Sequence, residues 1–97
     1  MSLEVTQATR DETVMLAVRG EIDMASAGEF RRALDDTPDQ GRLVLDLTGV
    51  EYLDSAGVKV LYDHLGRHPE VVVNSGAVIL RVLAITGLRD LLDVREV

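Results

Sequence analysis

The sequence contains no cysteine. Disulfides, thiolate metal sites, iron–sulfur clusters and cysteine nucleophiles are excluded together, and the absence fits a reducing compartment. Aromatic residues are scarce, with one Phe, two Tyr and no Trp, so no stacking platform for single-stranded nucleic acid is expected. Positive charge is in the minority. Seventeen Asp and Glu against ten Lys and Arg leave a net charge of −7, and Lys59 is the only lysine. A duplex-binding domain needs a basic face, so no nucleic-acid partner is expected. No apolar run approaches the ~18 residues of a membrane span. Residues 1–13 have neither the basic start nor the apolar stretch of a secretory signal. The expectation is a cytoplasmic protein without direct membrane contact.

What is present is an ordinary globular composition on a short chain. The 97 residues are 46% hydrophobic, enough for one core and too few for two, so 1–97 reads as a single domain. Val14, Leu16 and Val18 alternate with Met15, Ala17 and Arg19, a half-buried strand over 13–19. Residues 3–7 form its hairpin partner across the polar turn Arg10–Glu12. Gly20 ends the second strand. After a loop at 21–25, Ser26 stands three positions before Glu29, the spacing of a capping box, and Phe30, Ala33 and Leu34 line one face of a helix running to about Asp36. Leu43–Leu47 is nearly all apolar, as in a central strand covered on both faces, with 48–53 as a connection. Val58, Leu61, Tyr62 and Leu65 mark a second helix over about 56–66. Val71–Val73 is a further buried strand, and Asn74 and Ser75 are placed to cap a helix at about 77–86. A short helical turn at 88–92 and a strand at 94–97 complete the order β-β-α-β-α-β-α-β. This is an α/β fold: a mostly parallel sheet with an N-terminal hairpin strand and right-handed crossovers.

The chemistry-bearing junction is Asp54-Ser55-Ala56-Gly57, between strand and helix. In one reading the Ser55 hydroxyl caps the helix and contributes about 1 kcal/mol. In the other, Ser55 accepts a phosphate. The added charge of about −1.5 to −2 would sit at the positive end of a helix dipole, tolerated by the free fold but not by a partner surface shaped for a neutral serine. Asp54 would add a second negative charge, and Gly57 would allow close approach of a partner's backbone or of a kinase's nucleotide. Hydrolase chemistry does not fit. A nucleophile elbow needs Gly two positions before the serine, where Leu53 stands, and His64 and His68 fall ~12–15 Å along the helix. An Asp54 phosphoacceptor of the receiver type lacks an acidic pair for Mg²⁺, and a P-loop lacks its lysine. His64 and His68, with Asp63 and Glu70 nearby, want a further strong metal ligand and read as solvent-facing. No metal or cofactor is expected. Met15 and Met24 read as core and loop filler. The helix at 77–86 is apolar around most of its circumference. It packs on the sheet, or else offers an interface to a partner or to a second copy in a homodimer.

Several segments, in order, resemble the STAS domain, and within it the anti-sigma factor antagonists. They are LVLDLTGVEYLDSAG at 43–57, Gly20-Glu21-Ile22-Asp23 after the second strand, the helix after Ser26, and VILRVLAITGL at 78–88. The resemblance implies a protein with no catalysis of its own. It would bind an anti-sigma factor, a serine kinase with a histidine-kinase-like ATPase fold, and so release a sigma factor. Phosphorylation of Ser55 would end the interaction, and a phosphatase would restore it. Carried over by position, Ser55 is the phosphoacceptor, Asp54 its neighbour, Gly57 the close-approach glycine and Asp23 an acidic residue of the partner face, with Asn74 and Ser75 near that face. Two departures are Ala56, where members often have Ser or Thr, and the end of the sequence at Val97, where many members continue into a helix. STAS domains also serve as small subunits of ABC-type lipid transporters, a role that needs no phosphorylation. A nucleotide-sensing role at the Ser55 helix start is a third reading.

Overall fold

The computed structural model describes residues 3–97; Met1 and Ser2, the first residues of the expected 1–97 domain, lie outside that description. The elements are β1 (Leu3–Arg10), β2 (Thr13–Ile22), α1 (Ala27–Asp35), β3 (Arg42–Leu53), α2 (Ser55–Asp63), β4 (Glu70–Val73), α3 (Val78–Ile85), α4 (Leu88–Leu91) and β5 (Asp93–Glu96), with a 3₁₀ turn at Leu65–Arg67. The five strands lie in the order β1-β2-β3-β4-β5. β1 is antiparallel to β2, and every other pairing is parallel. The expected hairpin and mostly parallel sheet are therefore both present.

Alternation decides the two layers. Val14, Leu16 and Val18 of β2, Leu43, Leu45 and Leu47 of β3, and Val71 and Val73 of β4 are buried with Phe30, Leu34, Leu61, Ile79, Leu83 and Leu88 from the helices in one cluster. Among the described residues no helix packs on the opposite sheet face. Met15, Arg19 and Arg42 are exposed there, and Asp46, Thr48 and Val72 half-buried. The apolar run at 43–47 is thus a strand covered on one face only, correcting the two-sided expectation. Val44 made the run look continuous. It is buried although it lies outside the core cluster, in register between Met15 and Glu70 on the open face. Met15 is likewise a surface residue of that face rather than core. On the other side of Val44, Glu70 joins two arginines, Arg42 Nε at 2.9 Å and Arg95 Nη2 at 3.3 Å.

β3 is longer than its apolar run. Residues 48–53, expected as a connection, continue the strand and pair with β2 out to Ile22↔Leu53. The ladder absorbs two irregularities, at Ala17/Arg19 and Gly20/Glu21. Gly20 adopts φ +107°, which a side chain would resist, and so lets β2 bulge and run on past the point where it was expected to end. On β3, β4 pairs with Val44–Asp46, so the second half of β3, from Leu47 to Leu53, runs on beyond that pairing with β2 as its strand neighbour.

Two further expectations change. His64 does not face solvent: its side chain is 10% exposed, with Nε2 2.7 Å from Asp35 Oδ1 and Nδ1 2.7 Å from the Val60 carbonyl. It ties the end of α2 to the end of α1. The second helix also stops at Asp63 rather than near Gly66, handing over to the 3₁₀ turn that ends at His68 in a left-handed conformation, φ +50°. Among the described residues no helix is long and apolar enough to cross a membrane, and no group of His, Asp and Glu is arranged to hold a metal.

Candidate functional site: the ends of β2 and β3

The projecting ends of β2 and β3 are held together by the Asp54 amide, which donates to the Ile22 carbonyl at 3.1 Å. Each strand then turns into a helix, and an aspartate governs each turn. After β2, Asp23 Oδ1 accepts from the amides of Ala25 and Ser26, both at 3.0 Å, and the Asp23 carbonyl accepts from the Ser26 and Ala27 amides. Ser26 does not form the expected capping box. It lies in the right-handed helical region, and its hydroxyl accepts from the Asp23 amide at 3.0 Å and donates to the Glu21 carbonyl at 2.7 Å. Such Asx turns satisfy amides that a helix start would otherwise leave unpaired.

After β3, the cap is Asp54. It is extended, at φ −109° and ψ −170°, and Oδ1 accepts from Ala56 N at 2.9 Å and Gly57 N at 3.4 Å. Ser55 is the first residue of the helix, and it is exposed. The reading of Ser55 as an N-cap is therefore corrected. The carboxylate one residue earlier satisfies the first-turn amides, and the serine hydroxyl is released to solvent at the tip of the helix.

Gly57 is buried. A Cβ built there would lie 2.4 Å from Leu53 Cδ1 and 2.6 Å from Ile22 Cγ2. The first turn of α2 is pressed onto the ends of β2 and β3, and this internal packing accounts for the glycine without any partner's approach.

Asn74 and Ser75 are exposed and follow β4, but neither side chain caps α3, whose N-cap is Ala77 without a side-chain bond. Asn74 Nδ2 instead donates to the Thr48 carbonyl at 2.9 Å. The Ser75 amide donates to the Val97 carbonyl at 3.0 Å. Thr48 is six residues before Asp54 along β3, so this pair sits ~20 Å from the Asp54 end at ~3.3 Å per residue. The sequence-predicted residues share the C-terminal edge of the parallel strands, in two groups: Asp23, Asp54 and Ser55 at the projecting end, Asn74 and Ser75 set back along the sheet.

One surface residue at the projecting end escaped sequence reading. Met24, expected as loop filler, is 85% exposed between Asp23 and Ala25. Its signal was its position, an apolar side chain outside any periodic stripe. Glu21, Asp23, Glu51 and Asp54 make this end acidic, which favours a partner with complementary basic charge. Grooves of about 360 and 630 Å³ lie elsewhere, on the open face, lined by Arg19, Asp46 and Thr48 and by Ala8, Arg10 and Met15 respectively. Neither includes Ser55. An exposed serine on a convex helix tip suits recognition by a macromolecule better than enclosure of a small ligand.

The chain is similar to known proteins over most of its length. The family described as "Mlab, STAS domain" matches residues 5–93. The anti-sigma-F factor antagonist RsfB of Mycobacterium tuberculosis is 32% identical over 93 residues, covering 90% of this chain and 76% of that protein. An anti-sigma-B factor antagonist of Bacillus subtilis is 29% identical over 103 residues, covering 97% and 92%. Among solved structures, an anti-sigma factor antagonist from Mycobacterium paratuberculosis superposes with a TM-score of 0.82 at 29% identity, covering 96% of this chain and 85% of that one. The unphosphorylated anti-sigma factor antagonist SpoIIAA shares the fold with a TM-score of 0.73 at 19% identity, covering 99% and 88%.

Proposed function

The chain belongs to the STAS-domain family, and on that premise we propose that it is an anti-sigma factor antagonist switched by phosphorylation of Ser55. It acts by binding in the cytoplasm, not by catalysis. Its partner is an anti-sigma factor with a histidine-kinase-like ATPase fold, which supplies the nucleotide and phosphorylates Ser55; a phosphatase reverses the modification. The names of the relatives support the first part of the reading.

The observation that carries the switch is the division of labour at the start of α2. Asp54 satisfies the helix amides and Ser55 stands exposed beside it. A phosphate on Ser55 breaks no cap and enters no core. The helix dipole favours the anion by roughly 0.3–1 kcal/mol at a surface site, while Asp54 next to it opposes it, so the fold is left nearly indifferent. A partner surface closed over a neutral serine is not indifferent, because it would have to bury a dianion. Asp23 and Met24 on the neighbouring turn extend the same contact surface, and Asn74 and Ser75 lie within reach of a standard interface, about 800 Å² per side. Gly57 contributes indirectly, by letting the helix tip sit on the strand ends.

The test is capture from the source organism's lysate with wild type, Ser55→Ala and Ser55→Glu, with identification of the bound protein and mapping of phosphate after addition of Mg-ATP. A histidine-kinase-like ATPase held by the first two baits and lost by the third, with phosphate on Ser55 of the wild type, is the expected result. An ABC ATPase or its membrane partner held equally by all three would overturn it and make the chain a transporter subunit.

A further inference from the structure

The two edges of the sheet are not alike. β5 is four residues long and carries Asp93, Arg95 and Glu96, the short and charged form that resists pairing with another chain. β1 is eight residues long, pairs with β2 without a bulge, and contains no proline or lysine. Its free side is a regular row of backbone donors and acceptors.

The hairpin turn identifies which groups those are. Asp11 and Glu12 both have positive φ, +50° and +63°, as in a two-residue type I′ turn, whose flanking residues form a hydrogen-bonded pair. Arg10↔Thr13 is that pair, and the alternation then assigns Ala8↔Met15, Thr6↔Ala17 and Glu4↔Arg19 as bonded to β2. Leu3, Val5, Gln7 and Thr9 direct their amides and carbonyls outward.

We propose that two copies of the chain pair edge to edge through β1, antiparallel and centred on Gln7, into a ten-stranded sheet. In this register the bonded pairs are Val5 with Thr9, Gln7 with Gln7 across the two-fold axis, and Thr9 with Val5. The close, non-bonded pairs are Glu4 with Arg10, Thr6 with Ala8, and their symmetry mates. Charge complementarity selects the register. Of the antiparallel registers that match outward groups with outward groups, only this one sets Glu4 opposite Arg10, and the two-fold axis makes the ion pair twice. Both side chains are exposed on the open face, clear of the helices. Among the described residues Asp11 is the one acidic partner of Arg10, at 4.0 Å, and both side chains are over 90% exposed. The β1 centre lies opposite Leu16, six residues from the end of β2, so pairing leaves the Ser55 edge open and turns the two copies' edges in opposite directions. The proposal uses nothing from the Ser55 reading and fails or stands separately from it.

Sedimentation of the wild-type chain over a concentration series, beside Glu4→Arg, Arg10→Glu and the double exchange, tests it. A reversible dimer is expected, weakened about tenfold or more by either single change, since two attractions become two repulsions, and recovered in the double exchange. Recovery cannot come from within the chain, because Arg19 opposite position 4 still faces an arginine in the double variant. A wild type that stays monomeric to about millimolar concentration, single variants that dimerise as well as wild type, or a double exchange that fails to recover would each overturn the proposal. Thermal melts of the four proteins separate loss of pairing from loss of fold.

Discussion

At the scale of single residues, the start of α2 shows how adjacent polar side chains divide two tasks. A capping oxygen must come from a residue still in extended backbone, and Asp54 at ψ −170° meets that condition while Ser55, already helical, does not. Asp54→Ala should therefore lower unfolding free energy by about 1 kcal/mol, and Ser55→Ala should change it by no more than about 0.5 kcal/mol, as at other exposed surface positions. Urea denaturation of the two variants checks the pair, and a larger loss for Ser55→Ala would return the cap to the serine. Gly57→Ala sets two effects against each other. Alanine gains up to about 1 kcal/mol in helix propensity, but its Cβ meets Leu53 and Ile22 at 2.4 and 2.6 Å, and overpacking costs about 1–3 kcal/mol. A net fall in melting temperature is expected.

At the scale of elements, the hairpin and the helix pair carry the testable features. Glu12 at φ +63° holds a conformation in which a side chain costs roughly 1 kcal/mol, and its carbonyl accepts from Arg42 N at 3.0 Å, tying the hairpin to the start of β3. Glu12→Gly keeps that carbonyl and removes the crowding, so the melting temperature should rise. Between the helices, Arg31 and Lys59 both reach Asp63, at 2.9 and 3.1 Å. Hydrogen bonds from Lys59 and then Arg31 hold its carboxyl below the ordinary value. A carboxyl lowered in the folded state contributes stability above the unfolded chain's carboxylate range and loses it as pH falls through the folded value. This contribution is thus present at neutral pH and lost in acid. Being at the surface, it is small and salt-screened. Carboxylate NMR titration of Arg31→Ala should show Asp63 moving back up towards the ordinary value, with part of the shift retained through Lys59.

At the scale of the whole molecule, one core serves all the elements. The buried side chains of four strands and four helices form a single contiguous cluster, and a chain of this size with one core unfolds cooperatively. Circular dichroism and the fluorescence of Tyr52 and Tyr62 should report the same transition midpoint in urea. Separated midpoints would show that the projecting ends of β2 and β3 melt independently. The same architecture explains why the candidate site can be modified cheaply. The core lies between the helices and one sheet face, while Ser55 stands at the strand ends, outside it.

The sequence alone determined the order of elements, the hairpin before a parallel sheet, and the place of the Asp54-Ser55 junction between strand and helix. Each follows from periodicity, which records residue by residue whether a side chain meets the core. The tertiary structure alone decided what periodicity does not encode. It extended β3 through 48–53, because pairing with a bulged β2 satisfies backbone groups that a polar stretch would otherwise give to a loop. It left one sheet face open although 43–47 is nearly all apolar: Val44, the residue of that run in register between Met15 and Glu70, lies outside the core cluster. It brought His64 to Asp35 across 29 positions, and it set Asn74 back from Ser55 by stopping β4 short of the end of β3. The choice of Asp54 over Ser55 as the cap is of the same kind. Both residue types can cap, and only the backbone angles set by the neighbouring strand ends select between them.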